Sequence, residues 1–316
     1  MNNKVVTITL NPALDLTGSL NTLNQGGVSL INNSNFHPAG KGVNVAKVLS
    51  DLGAKVTVTG FLGEDNQELF AQLFEQIDAD DRFIRVNGST RINVKLVERN
   101  GAVSDINFPG VDVDKTAIDA FEATLDELCD DHDYFVLAGS LPQGITPELC
   151  HKWIALLQSR GKKVIFDSSR AALKVGINAT PWLIKPNDEE LSELVNTPIN
   201  TTRDVIRETE KLSQSGIQNI VVSMGANGVL WLSEGQWFSS KPPQMEVVST
   251  VGAGDTLVAG MCWGHMQKMD KTTLLSFATA LSALAISQIG VGLSDPTMLE
   301  TLQQQIEINP ISSQHE

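Results

Sequence analysis

In the stretch Ser249–Met261, STVGAGDTLVAGM, a carboxylate stands directly behind three small residues. Gly252, Ala253 and Gly254 allow a sharp turn and a close backbone approach to a ligand. An apolar helical pattern begins at once, so Asp255 falls in the first turn of a helix. Such a helix start offers unpaired N–H groups and the positive end of the helix dipole, which suits a phosphate. A carboxylate beside a bound phosphate would repel it. Asp255 therefore either caps a buried helix or has separate work of its own.

Four further constellations carry chemistry. In HPAGKGVNVAKVLSDLG, residues 37–53, an apolar stripe (Val45, Val48, Leu49, Leu52) ends at Gly53, which puts Gly40, Lys41 and Gly42 at the helix start. That is either a tight loop with a solvated lysine or a cationic turn that meets an anion. It is no Walker A loop, since no glycine precedes it at the required spacing and no Ser or Thr follows Lys41; nor is it G-x-G-x-x-G. In LIKPNDEELSEL, Asn187 and Glu190 share a helix face, either as a cap or as holders of the waters around a Mg²⁺ ion. Gly225 and Gly228 in VVSMGANGVLWL mark a turn between strands, an ordinary hairpin or an anion nest. Asp15 lies in LNPALD, and STRINVK alternates Arg91, Asn93 and Lys95 onto one strand face. That face is either solvated or turned to a phosphorylated, hydroxyl-rich ligand.

The elements around these residues alternate. KVTVTGF precedes the helical EDNQELFAQLFEQI, YFVLAGS precedes TPELCHKWIALLQSRG, and KKVIFDSS, PWLIKPN and NIVVSMG continue the rhythm. Strands alternating with helices predict a mainly parallel sheet covered on both faces. Two regions depart from it. Residues 5–35 read as extended segments without a helix, and residues 89–108 read as a hairpin whose Asn100-Gly101 suggests a type I′ turn. Together they predict a small β-sheet lid on one α/β domain spanning 1–316. Edge strands of such a lid need a partner or a cover.

Composition excludes several classes. The 316 residues are 41% hydrophobic and 19% charged, which fits a globular enzyme and not a disordered chain. A formal net charge of −14 repels nucleic acid and anionic membranes, so neither is an expected partner. Cys129, Cys150 and Cys262 show no C-x-x-C spacing, and free buried thiols in a reducing compartment are expected. The N-terminus lacks a signal-peptide pattern, and LLSFATALSALAIS is too short to span a bilayer, so a cytoplasmic location is expected.

Taken in order, AGKGVNVAKVLSDLGAKVTVTGFLG and STVGAGDTLVAGM resemble the two signatures of the ribokinase-like (PfkB) carbohydrate kinases. Ala39 and Ser249 depart from the commonest residues there, at positions the signatures tolerate. The resemblance extends over essentially the whole chain. TITLNPALD, TRINVKL, IFDSSR, KPPQMEVVSTVGAGD and AISQIGVG are most similar to members acting on a sugar that already carries a phosphate.

The resemblance implies ATP-dependent phosphorylation of a phosphorylated ketohexose: fructose 1-phosphate at its 6-hydroxyl, with tagatose 6-phosphate and fructose 6-phosphate as alternatives. It implies Asp255 as general base and the Gly252–Ala253–Gly254 turn as anion hole. Asp15, Gly40, Asn44 and Ser140 would bind sugar hydroxyls, and Lys41 and Arg91 the phosphate already present. Lys185, Asn187, Ser223, Gly225 and Gly228 would line ATP, with Glu190 holding Mg²⁺ through water. It further implies a homodimer joined through the lid. A sugar-phosphate sensor without catalysis is the contrasting expectation, but a sensor has no need of Asp255 behind an intact turn. A nicotinamide dehydrogenase is set aside for want of its glycine fingerprint.

Overall fold

The computed structural model describes residues 3–288 and 290–311; Met1, Asn2, Ile289 and residues 312–316 of the expected domain lie outside the described residues. Eleven strands form one sheet. Along it the order is Glu307–Ile311, Gln236–Lys241, Val229–Ser233, Asn219–Ser223, Leu183–Ile184, Lys163–Asp167, Tyr134–Ala138, Lys4–Thr9, Lys55–Gly63 and Asp80–Asp81, with Ile84–Val86 also paired to Lys55–Gly63. From Asn219–Ser223 through Asp80–Asp81 the pairing is parallel, and the three strands at the other end are antiparallel. This is the expected mainly parallel architecture.

Strand alternation shows why both faces are covered. Phe135 and Leu137 enter one core with Val164 and Phe166, where Phe121, Trp153, Leu173 and Leu191 arrive from helices. Val136 and Ile165 enter the opposite core with Val45, Leu49, Val258 and Met261. A parallel strand buried on both sides must be apolar at successive positions, which is how these strands read.

The lid is a separate four-stranded sheet in the order Asn33–Ala39, Ala13–Leu20, Ile92–Glu98, Val103–Ile106. Its two faces differ. Phe36, Leu16, Val94 and Ile106 stand opposite one another in one row, while His37, Asp15 and Asn93 form a polar row on the other face.

Two expectations are corrected here. Lys4–Thr9, expected within the lid segment 5–35, is a central strand of the main sheet, and the lid strands from that part of the chain occupy 13–20 and 33–39. Thr7 and Thr9 misdirect the reading: they are buried, yet they give the strand an amphipathic alternation. The Asn100-Gly101 turn is also not type I′. Glu98 N–H donates to Ala102 O, Gly101 N–H donates to Glu98 O, and only Gly101 has positive φ, at 88°. That is a three-residue loop in which a type I turn leads into a left-handed glycine.

Candidate active site

Two helices begin on glycines whose backbones only glycine adopts comfortably. The helix Lys41–Asp51 follows Gly40 (φ 128°) and the helix Ala253–Met266 follows Gly252 (φ 80°); neither start has a side-chain cap. Elsewhere, Asp114, Thr146, Asn187, Thr201, Asp270 and Asp295 cap their helices with side-chain oxygens. The helices after Gln67 and Ser169 also lack a side-chain cap, but only the start at Gly252 leads into a buried carboxylate. There no side chain satisfies the first amides, and Ala253 N–H donates only to Thr250 O, at 3.4 Å. A Cβ on Gly252 would lie 2.4 Å from Val291 Cγ2, so the turn also fits tightly beneath the chain around Val291.

Asp255 is 7% exposed, and Asn44 Nδ2 donates to its Oδ2 at 2.7 Å. Burial, with Asp167 adding repulsion, raises the Asp255 pKa to about 6, against the pull of Asn44, Lys41 and Lys185. The helix dipole favours the ionised carboxylate, but desolvation outweighs it in setting the pKa. Asp255 is still mainly ionised at neutral pH, with a proton affinity closer to that of a working general base.

Asp167 organises the charges below. It is 1% exposed, and Lys41 Nζ and Lys185 Nζ approach it at 3.3 and 3.5 Å. Lys41 also lies 4.0 Å from Glu190 Oε1. Burial opposes the Lys41 charge, but Asp167, Asp255 and Glu190 together raise its pKa. Lys185 packs under the turn, its Nζ 3.5 Å from where a Cβ on Gly254 would stand. Lys41 is therefore held among carboxylates. Arg91 has other partners: its guanidinium donates to the backbone oxygens of Asn11 (3.0 Å), Pro12 (3.3 Å) and Phe108 (3.4 Å), and to Ser140 Oγ at 3.5 Å. Burial lowers its pKa despite Asp15. Asp15 itself accepts from Asn93 Nδ2 at 3.2 Å.

On the other side, Asn187 and Ser223 are bridged in parallel, and Ser223 N–H donates to Pro186 O. Gly225–Asn227 forms a single 3-10 turn, after which Gly228 (φ 95°) returns the chain. Asn187 and Glu190 make a full capping box: Glu190 N–H donates to Asn187 Oδ1 at 2.6 Å, and Asn187 N–H to Glu190 Oε2 at 3.0 Å. The capping alternative is realised, which leaves Glu190 Oε1 facing Lys41. Among the described residues no three His, Cys, Asp or Glu groups are arranged to hold a metal. A Mg²⁺ ion here would be carried mainly by nucleotide phosphates and reached through water, a mode that suits its tight hydration and the one available Glu190 oxygen.

Sequence reasoning missed Asp167 and Asn11. Asp167 ends the apolar strand KVIFD, and the carboxyl ends of parallel strands are where α/β sheets bind ligands. That position was the available signal. Asn11, also buried, donates from Nδ2 to Ser140 Oγ at 3.0 Å. Cys129, Cys150 and Cys262 are buried and free, and no described helix is long and apolar enough to cross a membrane.

An uncapped helix start with a buried, ionisable acid in its first turn, set at the strand ends beneath a polar β-lid, defines a phosphoryl-transfer site of the carbohydrate-kinase kind. A family model described as pfkB family carbohydrate kinase matches residues 4–298, and the chain belongs to that family. It is 67% identical to the 1-phosphofructokinase of Vibrio cholerae serotype O1 over 98% of both chains. It is 44% identical to that of Escherichia coli strain K12, covering 99% of this chain and 100% of the other. Phosphofructokinase-2 from Escherichia coli, solved in complex with fructose-6-phosphate, superposes with a TM-score of 0.87 at 25% identity, covering 96% of this chain and 98% of that one.

Proposed function

We propose that the protein transfers the γ-phosphoryl group of ATP to the 6-hydroxyl of fructose 1-phosphate, giving fructose 1,6-bisphosphate and ADP. The observation that carries the chemistry is Asp255, buried and ionisable, in the first turn of a helix whose first amides have no side-chain cap. Asp255 takes the proton of the 6-hydroxyl as that oxygen attacks phosphorus, and the amides at Gly252, Ala253 and Gly254 receive the charge on the phosphoryl oxygens. Asn44 orients the base. The choice of sugar rests on the name shared by relatives at 67% and 44% identity over nearly the whole chain.

Asp15, Gly40, Asn44 and Ser140 meet the sugar, with Arg91 at the phosphate it already bears. Lys41, expected at that same phosphate, is held by Asp167 and Glu190, and we assign it instead to the phosphoryl group in transit. Lys185, Asn187, Ser223, Gly225 and Gly228 line the nucleotide, and Glu190 reaches its Mg²⁺ through water. The bound ion would neutralise phosphate charge. The protein acts in the cytoplasm as a homodimer.

The test is turnover of fructose 1-phosphate, fructose 6-phosphate, tagatose 6-phosphate and fructose by the purified protein with ATP and Mg²⁺. Fructose 1-phosphate should give the highest kcat/KM. Preference for either 6-phosphate would overturn the choice of sugar, and binding without turnover of any would favour a sensor.

A further inference from the structure

We infer that His37 reads the phosphosugar together with Asp15, its Nε2–H donating to the hydroxyl whose proton Asp15 accepts. This rests on the sugar-kinase reading of the lid above. His37 and Asp15 are directly opposite in the antiparallel ladder, and Asp15 is directly opposite Asn93 in the parallel one. Opposed side chains share a face, with Cβ atoms about 5 Å apart. The three polar groups therefore form one row on the polar face of the lid, the face that carries the expected sugar ligand Asp15.

The hydrogen bonds give the row a direction. Asn93 Nδ2 occupies Asp15 Oδ1, which leaves Oδ2 as an acceptor. A sugar hydroxyl is both donor and acceptor, whereas a carboxylate can only accept. A second group must supply the donor for the hydroxyl oxygen, and His37 is the neighbour across the ladder. Its Nδ1 is buried and finds no partner among the described residues. A proton placed there would be an N–H with no acceptor, a costlier state than an unused lone pair. The proton of the neutral ring accordingly sits on Nε2, the nitrogen left for a ligand. The charged groups around the ring keep it neutral: burial lowers its pKa, Asp15 on the neighbouring strand works against that, and Lys47 from the helix Lys41–Asp51 and Lys95 from the strand Ile92–Glu98 reinforce it. A neutral donor beside an anionic acceptor reads one hydroxyl completely, including its configuration. Ketohexose phosphates that differ at one ring carbon would be separated here.

The experiment compares the parental protein, His37→Leu and His37→Gln on fructose 1-phosphate and on its 3-deoxy and 4-deoxy analogues. His37→Leu should lower kcat/KM for fructose 1-phosphate by about 10- to 100-fold, mainly through KM, as expected for one lost hydrogen bond in a closed site. The KM for ATP should not move, which also reports an intact fold. Against one of the deoxy analogues, parental and His37→Leu proteins should perform alike, because the hydroxyl that His37 serves is gone. His37→Gln, which retains an N–H donor, should recover most of the loss with fructose 1-phosphate. An equal loss against all three sugars, or equal shifts in both KM values, would make His37 structural and overturn the inference while leaving the proposed activity standing. Failure of the parental protein to phosphorylate fructose 1-phosphate would take both down.

Discussion

At the scale of a single residue, Asp255, the base we propose, carries a cost in stability. Its pKa of about 6 arises from burial and from Asp167, so the unliganded fold holds a charge it would rather neutralise. The folded pKa lies above the unfolded value, so the group's stabilising contribution is full below the unfolded pKa near 4 and is lost as pH rises through about 6. At neutral pH the deficit is on the order of 3 kcal/mol, from roughly two pKa units. Asp255→Asn removes it: the variant should melt higher, by about 2 °C or more, while kcat falls by about 10²–10⁴-fold. Nucleotide binding should survive, because the helix start proposed to meet the phosphates is backbone. In the parental enzyme kcat should decline below about pH 6, and calorimetry with a pH–rate profile checks both effects. A variant keeping more than half the parental kcat would remove Asp255 from the role of base.

The helix Ala253–Met266 shows the same physics at its other end with the opposite sign. His265 stacks edge-on between Trp182 and Trp231, with centroids 4.6 and 5.6 Å away, and its buried Nε2 finds no partner among the described residues. Burial, helped by Lys163 and Lys271, lowers its pKa to about 4. Here the folded value is depressed, so the contribution is present above the unfolded pKa of 6.5 and is lost as pH falls toward about 4. The loss amounts to about 3 kcal/mol. His265→Leu, apolar and of similar bulk, should flatten the decline of melting temperature between pH 6.5 and 4; an unchanged slope would place the acid sensitivity elsewhere. Element-scale patterns were also where the sequence was easiest to read. Glycine followed by an apolar stripe located the helix starts at Gly40 and Gly252, because no other residue type combines that turn with that periodicity. Asp255 and Asn187 could be named for the same reason, each standing at a helix start, whereas Lys185 was named only through the family resemblance. Asp167 was marked only by its place at a strand end; its pairing with Lys41 and Lys185, which are distant in sequence, arises only in the folded chain. Lys4–Thr9 was misread because burial of Thr7 and Thr9 depends on neighbours that the strand itself does not encode.

For the whole molecule, the unresolved demand is the outer face of the lid. Phe36, Ile92 and Ile106 are 42%, 40% and 47% exposed there, and Leu16 and Val94 complete the patch. Scattered exposed apolar residues are ordinary, but a contiguous patch on one face of a thin sheet marks an interaction surface. The same sheet also leaves Asn33–Ala39 and Val103–Ile106 as edges. A second copy meets both needs with one symmetric contact, lid against lid, since an isologous interface sets the same patch against itself. Pairing of the lids would also brace the polar row over the sugar and keep water from the γ-phosphoryl group, which water could otherwise accept in place of the 6-hydroxyl. Light scattering at micromolar concentration should therefore report a dimer of this chain. Phe36→Asp combined with Ile106→Asp should dissociate it, raise the KM for the phosphosugar more than that for ATP, and increase the ratio of ATP hydrolysis to sugar phosphorylation. A parental protein that is monomeric and fully active would refute the pairing, as would a double variant that remains dimeric with unchanged kinetics.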